Sequence, residues 1–304
     1  MDLDSEAKAS LKKLLASSGF GQEIVAAGDL HRAGWRVNLH AFFHDLDENK
    51  AREIDIVANK RFAADQKSYV AIDVEIAIEI KASKEPFFVF RGRHSDQYYD
   101  LVPYSWRYST LKTDHEAVSG TKRDLLRRIK LPPGDFLVHK PKSASGTDRA
   151  LKTFGGLLQV IKASYHLQEE REPANDGWQK WSKEHLRRLA ARNKRYLFEN
   201  FSMAFLVCDG PILLVQQEFS WETFDFDFDF IETECAVLPV RYSSPAYKFA
   251  HQPVIVCTLK HFPKLLATIE RESRLLLKAL AKRQIKSSTL PRIRRPPNQP
   301  LDRT

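Results

Sequence analysis

Two stretches of this chain put charge where a folded sheet has little use for it. Arg52-Glu53-Ile54-Asp55-Ile56-Val57-Ala58 and the run from Val70 to Ala82 are rich in β-branched residues, and each reads as a strand. Side chains alternate across a strand, so Glu53, Asp55 and Val57 are expected on one face, with Ile54 and Ile56 on the other. On the second stretch Glu75, Ala77, Glu79 and Lys81 share a face, opposite Ile76, Ile78 and Ile80. If the strands are neighbours, Asp55 stands beside Glu79 with Lys81 one pleat further on. Three charges inside a sandwiched sheet are costly without partners, and a metal ion would supply the missing one. The plainer alternative is a solvated strand face tied by cross-strand ion pairs.

The elements around these strands follow from periodicity. Residues 5–32 carry apolar residues at helical spacing (Leu11, Leu14, Leu15, then Ile24, Val25, Ala27), interrupted at Ser18-Gly19-Phe20-Gly21, with a second helix from about Gln22 to Arg32. Gly34 ends it, Trp35 to Phe43 reads as a strand, and the polar cluster Asp45 to Lys50 as a hairpin turn. A loop over 64–68 leads to the long third strand, and Phe87 to Phe90 is a short further one. From 91 to about 150 the pattern weakens into turns, aromatics and the basic patch Lys122 to Arg128, which reads as an insertion or cap. A helix over 150–168, a loop, a basic helix from Trp178 to about Tyr196, four strands (201–207, 212–216, 235–242, 254–259) and a closing amphipathic helix over 262–282 complete the order. The expected fold is α/β, a mixed central sheet flanked by helices. It forms one domain over 1–285 (core about 20–90 plus 150–285, insertion about 91–150), with extra C-terminal strands and a Pro/Arg-rich tail over 286–304 expected to be disordered.

Asp55 followed by Glu79-Ile80-Lys81, with Glu23 on the preceding helix, resembles the PD-(D/E)xK nuclease superfamily, whose fold is restriction-endonuclease-like. Phe20-Gly21-Gln22-Glu23-Ile24-Val25 is similar to that superfamily's acid-bearing helix, and Gly34-Trp35-Arg36-Val37 to the entry of its first core strand. Arg52 to Val57 and Ile78 to Ser83 match its aspartate and E-x-K strands. The resemblance covers roughly 20–90. A weaker echo is Gln159, on the helix after the E-x-K strand. Three departures stand out: Ile54 rather than proline precedes Asp55, the spacing from Asp55 to Glu79 needs the loop over 62–69, and the Gln159 helix comes late, after the insertion.

The resemblance implies a Mg²⁺- or Mn²⁺-dependent hydrolysis of phosphodiesters. Asp55, Glu79, Glu23 and the carbonyl of Ile80 are the implied ligands, and Lys81 the residue that orients or helps deprotonate the attacking water. Gln159, Ser83 and Glu75 are support positions. Lys84 and the helix-borne Arg187, Arg188 and Arg192 are the expected nucleic-acid contacts. DNA is the expected substrate, in restriction, mobile-element defence or repair. The alternatives are a catalytically weak relative that binds nucleic acid or scaffolds a complex, and a nuclease controlled by a partner protein. A homodimer is plausible because a double-strand cut needs two sites.

Composition agrees. The chain has 304 residues and a net charge of +9. From Arg271 onward ten basic residues face only two acidic ones, Glu272 and Asp302, a surplus that attracts polyanions. The acidic start, Met1-Asp2-Leu3-Asp4, argues against a signal or transit peptide, and no apolar run nears the length of a membrane span, so a cytoplasmic protein is expected. Cys208, Cys235 and Cys257 lie among apolar strand residues with no zinc spacing and read as buried reduced thiols. There is no Gly-rich phosphate loop, so no nucleotide cofactor is expected. Phe224 to Phe230, alternating Phe and Asp, reads as an edge strand or an acidic docking segment. His40 and His44 read as surface or packing residues, and Glu53 as a partner of Arg52 or Lys50.

Overall fold

The computed structural model describes residues 5–63, 69–91, 104–109, 129–139, 146–169, 196–220, 225–247 and 250–288. Chain order is α1 (Ser5–Ser18), α2 (Phe20–Arg32), β1 (Arg36–Asp45), β2 (Lys50–Ala63), β3 (Tyr69–Lys81), β4 (Phe87–Arg91), β5 (Tyr104–Ser109), β6 (Phe136–His139), α3 (Gly146–Glu169), β7 (Tyr196–Cys208), β8 (Ile212–Ser220), β9 (Asp225–Thr233), β10 (Cys235–Tyr242), β11 (Ala250–Thr258) and α4 (Phe262–Ser288).

The main sheet runs β1-β2-β3-β7-β11-β10, with β5 paired to β7. β1, β2 and β3 form an antiparallel meander, whereas β3, β7 and β11 are parallel and β10 returns antiparallel. The centre of such a sheet must be covered on both faces, and it is. Ile72, Val74, Ile76 and Ile78 of β3 and Phe201, Met203 and Phe205 of β7 pack with α2 and α4 through Leu30, Leu265, Leu266 and Ile269. The other face packs Ala77, Ala204, Leu206 and Val256 against α3 (Leu157, Val160, Ile161) and a second sheet, through Phe87, Val89, Ile212 and Leu214. That second sheet has the order β6-β4-β8-β9, which leaves the Phe/Asp strand at an edge as the alternation predicts. Among the described residues no helix is long and apolar enough to cross a membrane. The three cysteines are free thiols, two of them fully buried.

Several expectations change. The segment read as an insertion over 91–150 supplies β5 to the main sheet and β6 to the small one, so it is woven into the body. The closing helix runs to Ser288, three residues into the stretch assigned to the tail. Ile54 and Ile56 do not share a face: Ile54 packs with Ala41 and Phe43 on the α3 side, and Ile56 with α2 and α4. The cause is a break in the ladder. β1 and β2 pair at Leu39–Ile56 and again at Ala41–Ile54 but skip His40–Asp55, where His40 takes a left-handed φ of 51°. The basic patch over 122–128, the helix expected over 178–196 (save Tyr196, which opens β7 as strand) and the tail from 289 lie outside the described residues.

The β1–β2 turn is locked to α3 by a buried ammonium. Lys162 Nζ lies 3.0 Å from both carboxylate oxygens of Asp45 and 2.8 Å from Asp47 Oδ2, and it sits over the rings of Tyr242 and Tyr247. Tyr247 Oη accepts the N–H of Leu46, and Ser244 Oγ donates to Asp47. Breaking a buried pair by removing one partner leaves the other charge stranded, at about 3–5 kcal/mol. Lys162→Met is therefore expected to lose about that much stability in urea titration. A loss below about 1 kcal/mol would show that the clamp contributes little.

Candidate metal and phosphate site

The site forms where β2 parts from β3. The β2–β3 ladder runs from Ala63–Ala71 as far as Ile56–Ile78 and stops, so Asp55 meets an interrupted ladder on both of its edges. In place of a backbone pair, Asp55 Oδ2 accepts the N–H of Ile80 at 2.6 Å. A strand residue sends its N–H and C=O out of the same edge, so the carbonyl of Ile80 also faces this opening. Lys81 leaves by the other edge, where its carbonyl accepts the N–H of Asp209.

Glu79 and Lys81 point together toward α3, as alternation predicts. Lys81 Nζ donates to Glu79 Oε1 at 2.8 Å, while Glu79 Oε2 is buried with no hydrogen-bond partner. Gly156 is what lets α3 lie this close. A Cβ there would stand 2.7 Å from Lys81 Cε and 3.2 Å from its Nζ, both inside normal contact, and 3.6 Å from Glu79 Cγ. One turn on, Gln159 donates through Nε2 to the backbone carbonyl of Glu53, which ties α3 to β2 two residues before Asp55.

Glu23 arrives from the first turn of α2. That turn is placed by Gly19, whose φ of 78° makes the corner between α1 and α2 and on which a Cβ would stand a tight 3.3 Å from Ala82 Cβ at the end of β3. Gln22 Nε2 donates to Asp209 Oδ2, the oxygen that also holds Lys84, and so fastens α2 to the far end of β7. Glu23 Oε2, like Glu79 Oε2, is buried without a hydrogen-bond partner; His40 Nε2 lies 3.4 Å away.

The three acids feel one another. Burial raises the Glu79 carboxyl to about 7 against the opposing charge of Lys81, and Asp55 and Glu23 push it the same way. Glu23 is raised by burial and by Asp55. Asp55 is raised by burial, against the Ile80 N–H and Lys81. Among the described residues no three His, Cys, Asp or Glu side chains are gathered to metal-ligating distance. The donor set nevertheless fits a hard cation: carboxylate oxygens, two of them buried and accepting no hydrogen bond, beside a carbonyl facing the same opening.

The structure brings Asp55, Glu79, Lys81, Ile80 and Glu23 together, with Gln159 adjoining. Glu75 lies deeper. It is buried and accepts from Asn200 Nδ2 at 3.2 Å, on the face where Ser164, Ser202 and Gln252 form their own network. It therefore stands in the core, four residues back from Glu79. Ser83 Oγ accepts the N–H of Glu85 and shapes the turn after β3. Lys84 is exposed and paired to Asp209 at 2.6 Å. Arg187, Arg188 and Arg192 lie outside the described residues.

Two residues were misread from sequence. His40 is no bystander: its Nδ1 bonds Glu53 Oε1, its ring stacks on Phe20 with centroids 5.3 Å apart, and it stands against Glu23. The bond to Glu53 raises its pKa, and Glu23 and Asp55 add to the rise. Glu53 consequently faces His40, while Arg52 and Lys50 both turn to Glu48. A lone histidine in a strand carries no sign of this; the skipped ladder pair that aims it is visible only in three dimensions.

No protein-family model, no curated protein and no solved structure matches this chain.

A carboxyl whose pKa rises on folding favours the folded state while protonated. That contribution is complete below the unfolded value near 4.5 and is lost as the pH climbs through about 7. Metal-free protein is thus expected to lose up to about 3 kcal/mol between pH ~4.5 and ~7.5 from Glu79 alone. Glu79→Gln should flatten that slope in chelator-treated protein followed by thermal melts. Parallel pH profiles for wild type and variant would show that Glu79 ionises as freely folded as unfolded.

Proposed function

We propose that this protein is a metal-dependent nuclease of the PD-(D/E)xK type that hydrolyses phosphodiester bonds, with DNA as its first substrate. The observation that carries the reading is the pair of buried carboxylate oxygens on Glu23 and Glu79 that accept no hydrogen bond, set around Asp55 where β2 leaves β3, with the Lys81 ammonium beside Glu79 and the His40 ring beside Glu23. Carboxylates held in a water-poor corner call for positive charge. A phosphodiester, anionic and resistant to nucleophiles, is a substrate whose cleavage needs positive charge at the same place.

In this reading Asp55, Glu79 and the Ile80 carbonyl hold one Mg²⁺ or Mn²⁺, and Glu23 holds a second ion or its water. What a bound ion supplies is Lewis-acid charge against the phosphate oxygens and the attacking water. The chain's own residues do the rest. Lys81, partly exposed and anchored by Glu79, orients the water and stabilises charge that grows on the phosphate. Gln159 fixes the backbone of β2 next to Asp55. Lys84 exchanges Asp209 for the phosphate backbone, and the basic residues of α4, including the exposed Arg271 and Lys264, add long-range attraction.

Purified protein is expected to nick plasmid DNA with Mg²⁺ or Mn²⁺ and not with EDTA. Asp55→Ala and Lys81→Ala should each cut at least about 100-fold more slowly with an unchanged circular-dichroism spectrum. Wild-type rates in either variant would remove these residues from the chemistry. Gly156→Ala offers a second check. Alanine favours a helix over glycine by up to about 1 kcal/mol, so the variant should melt no earlier than wild type, yet its methyl group displaces the Lys81 side chain and should slow cleavage about tenfold or more. Undiminished cleavage by a stable Gly156→Ala protein would mean that Lys81 need not stand where it does.

A further inference from the structure

A cleft of about 270 Å³ opens beside Lys81, between α3 and the β1–β2 hairpin. Its floor is Gly155 and Gly156, its hairpin wall carries Asp45, Glu48 and Arg52, and Gln159 and Lys162 line it further along α3. Ligand pockets begin at roughly 300 Å³, so this space suits a single nucleotide and excludes a base pair.

Three observations say what it is built to take. First, Gly155 is exposed in mid-helix, and a Cβ there would meet nothing within 4 Å. Glycine weakens a helix relative to alanine, and no packing demands it here. Bare backbone serves an occupant that lies flat against the helix. Second, Arg52 has capacity to spare. Its Nε is screened from solvent and makes no hydrogen bond, since Asp45 Oδ2 at 3.6 Å is too far. A guanidinium with a free donor suits a phosphate, which it can grip by two bonds. Third, the acids of the wall are already neutralised. Asp45 is held by Lys162, and Glu48 by Lys50 as well as Arg52, so an incoming anion meets Arg52 beside wall acids that each already have a cationic partner.

We propose that this cleft seats the nucleotide adjoining the scissile phosphate, with its own phosphate on Arg52 and its sugar against the Gly155 backbone. The assignment rests on the nuclease reading above, because Lys81 and Gln159 are shared between the cleft and the acids. It adds that one strand is held on the α3 side, so that nucleotide, and not only the scissile group, determines affinity.

Binding of a short fluorescent DNA duplex and of its single strand, measured by anisotropy in EDTA, tests the proposal without cleavage. Gly155→Leu fills the open space and should weaken binding of at least one of the two forms about tenfold or more, while melting no earlier than wild type. Gly155→Ala, with room for its methyl, should bind close to wild type and melt later. Arg52→Gln should lower the slope of log affinity against log salt by about one phosphate's worth, roughly 0.7–0.9, a change that mere loosening of the hairpin does not produce. A Gly155→Leu protein that binds and cuts like wild type overturns the cleft assignment and leaves the nuclease reading standing. Wild-type protein that neither binds nor cuts DNA overturns both.

Discussion

Asp55 holds the N–H of Ile80 at the point where two strands stop pairing, and the rest of the site depends on that bond. A ladder that continued would have spent the N–H and C=O of Ile80 on β2 and closed the opening. Because it stops, a side-chain carboxylate takes the place of a backbone partner, and one edge of β3 is left facing a gap lined with acids. The same interruption runs through β1, where His40 adopts its left-handed backbone, so the break is a feature of the whole meander.

Everything else keeps that gap narrow and populated. α2 is brought onto the end of β3 at Gly19 and pinned through Gln22 to Asp209, which carries Glu23 in. α3 approaches on its Gly156 face and is fastened at Gln159 and Lys162. These contacts hold Glu23, Asp55 and Glu79 in a corner where burial raises all three carboxyls, and neighbouring acids raise Glu23 and Glu79 further.

Much of this was legible in the residues themselves. Alternation along Val70 to Lys81 is strong enough to put Glu79 and Lys81 on one face and the isoleucines on the other, and β3 follows it throughout. The hairpin turn, the break at Gly19 and the edge placement of the Phe/Asp strand were equally plain, because glycine, polar clusters and strict alternation act locally. What failed were inferences that assume a regular strand. Ile54 changed faces and His40 entered the acid cluster because the ladder slips between them, and no local pattern encodes a slip. Glu75 shared the parity of Glu79 but not its surroundings, since Asn200 on β7, far along the chain, claims it. The second sheet was missed because β4 pairs with β8, more than a hundred residues away.

The central claim is that Glu23, Asp55 and Glu79 converge on a divalent cation, and titration of Mn²⁺ into chelator-treated protein above pH ~7.5, read by calorimetry or electron paramagnetic resonance, tests it most directly. Saturable uptake of one or two ions by wild type, lost in Asp55→Asn and in Glu79→Gln, is the predicted result. No uptake, or uptake that both variants retain, would contradict it and return these side chains to a purely structural role.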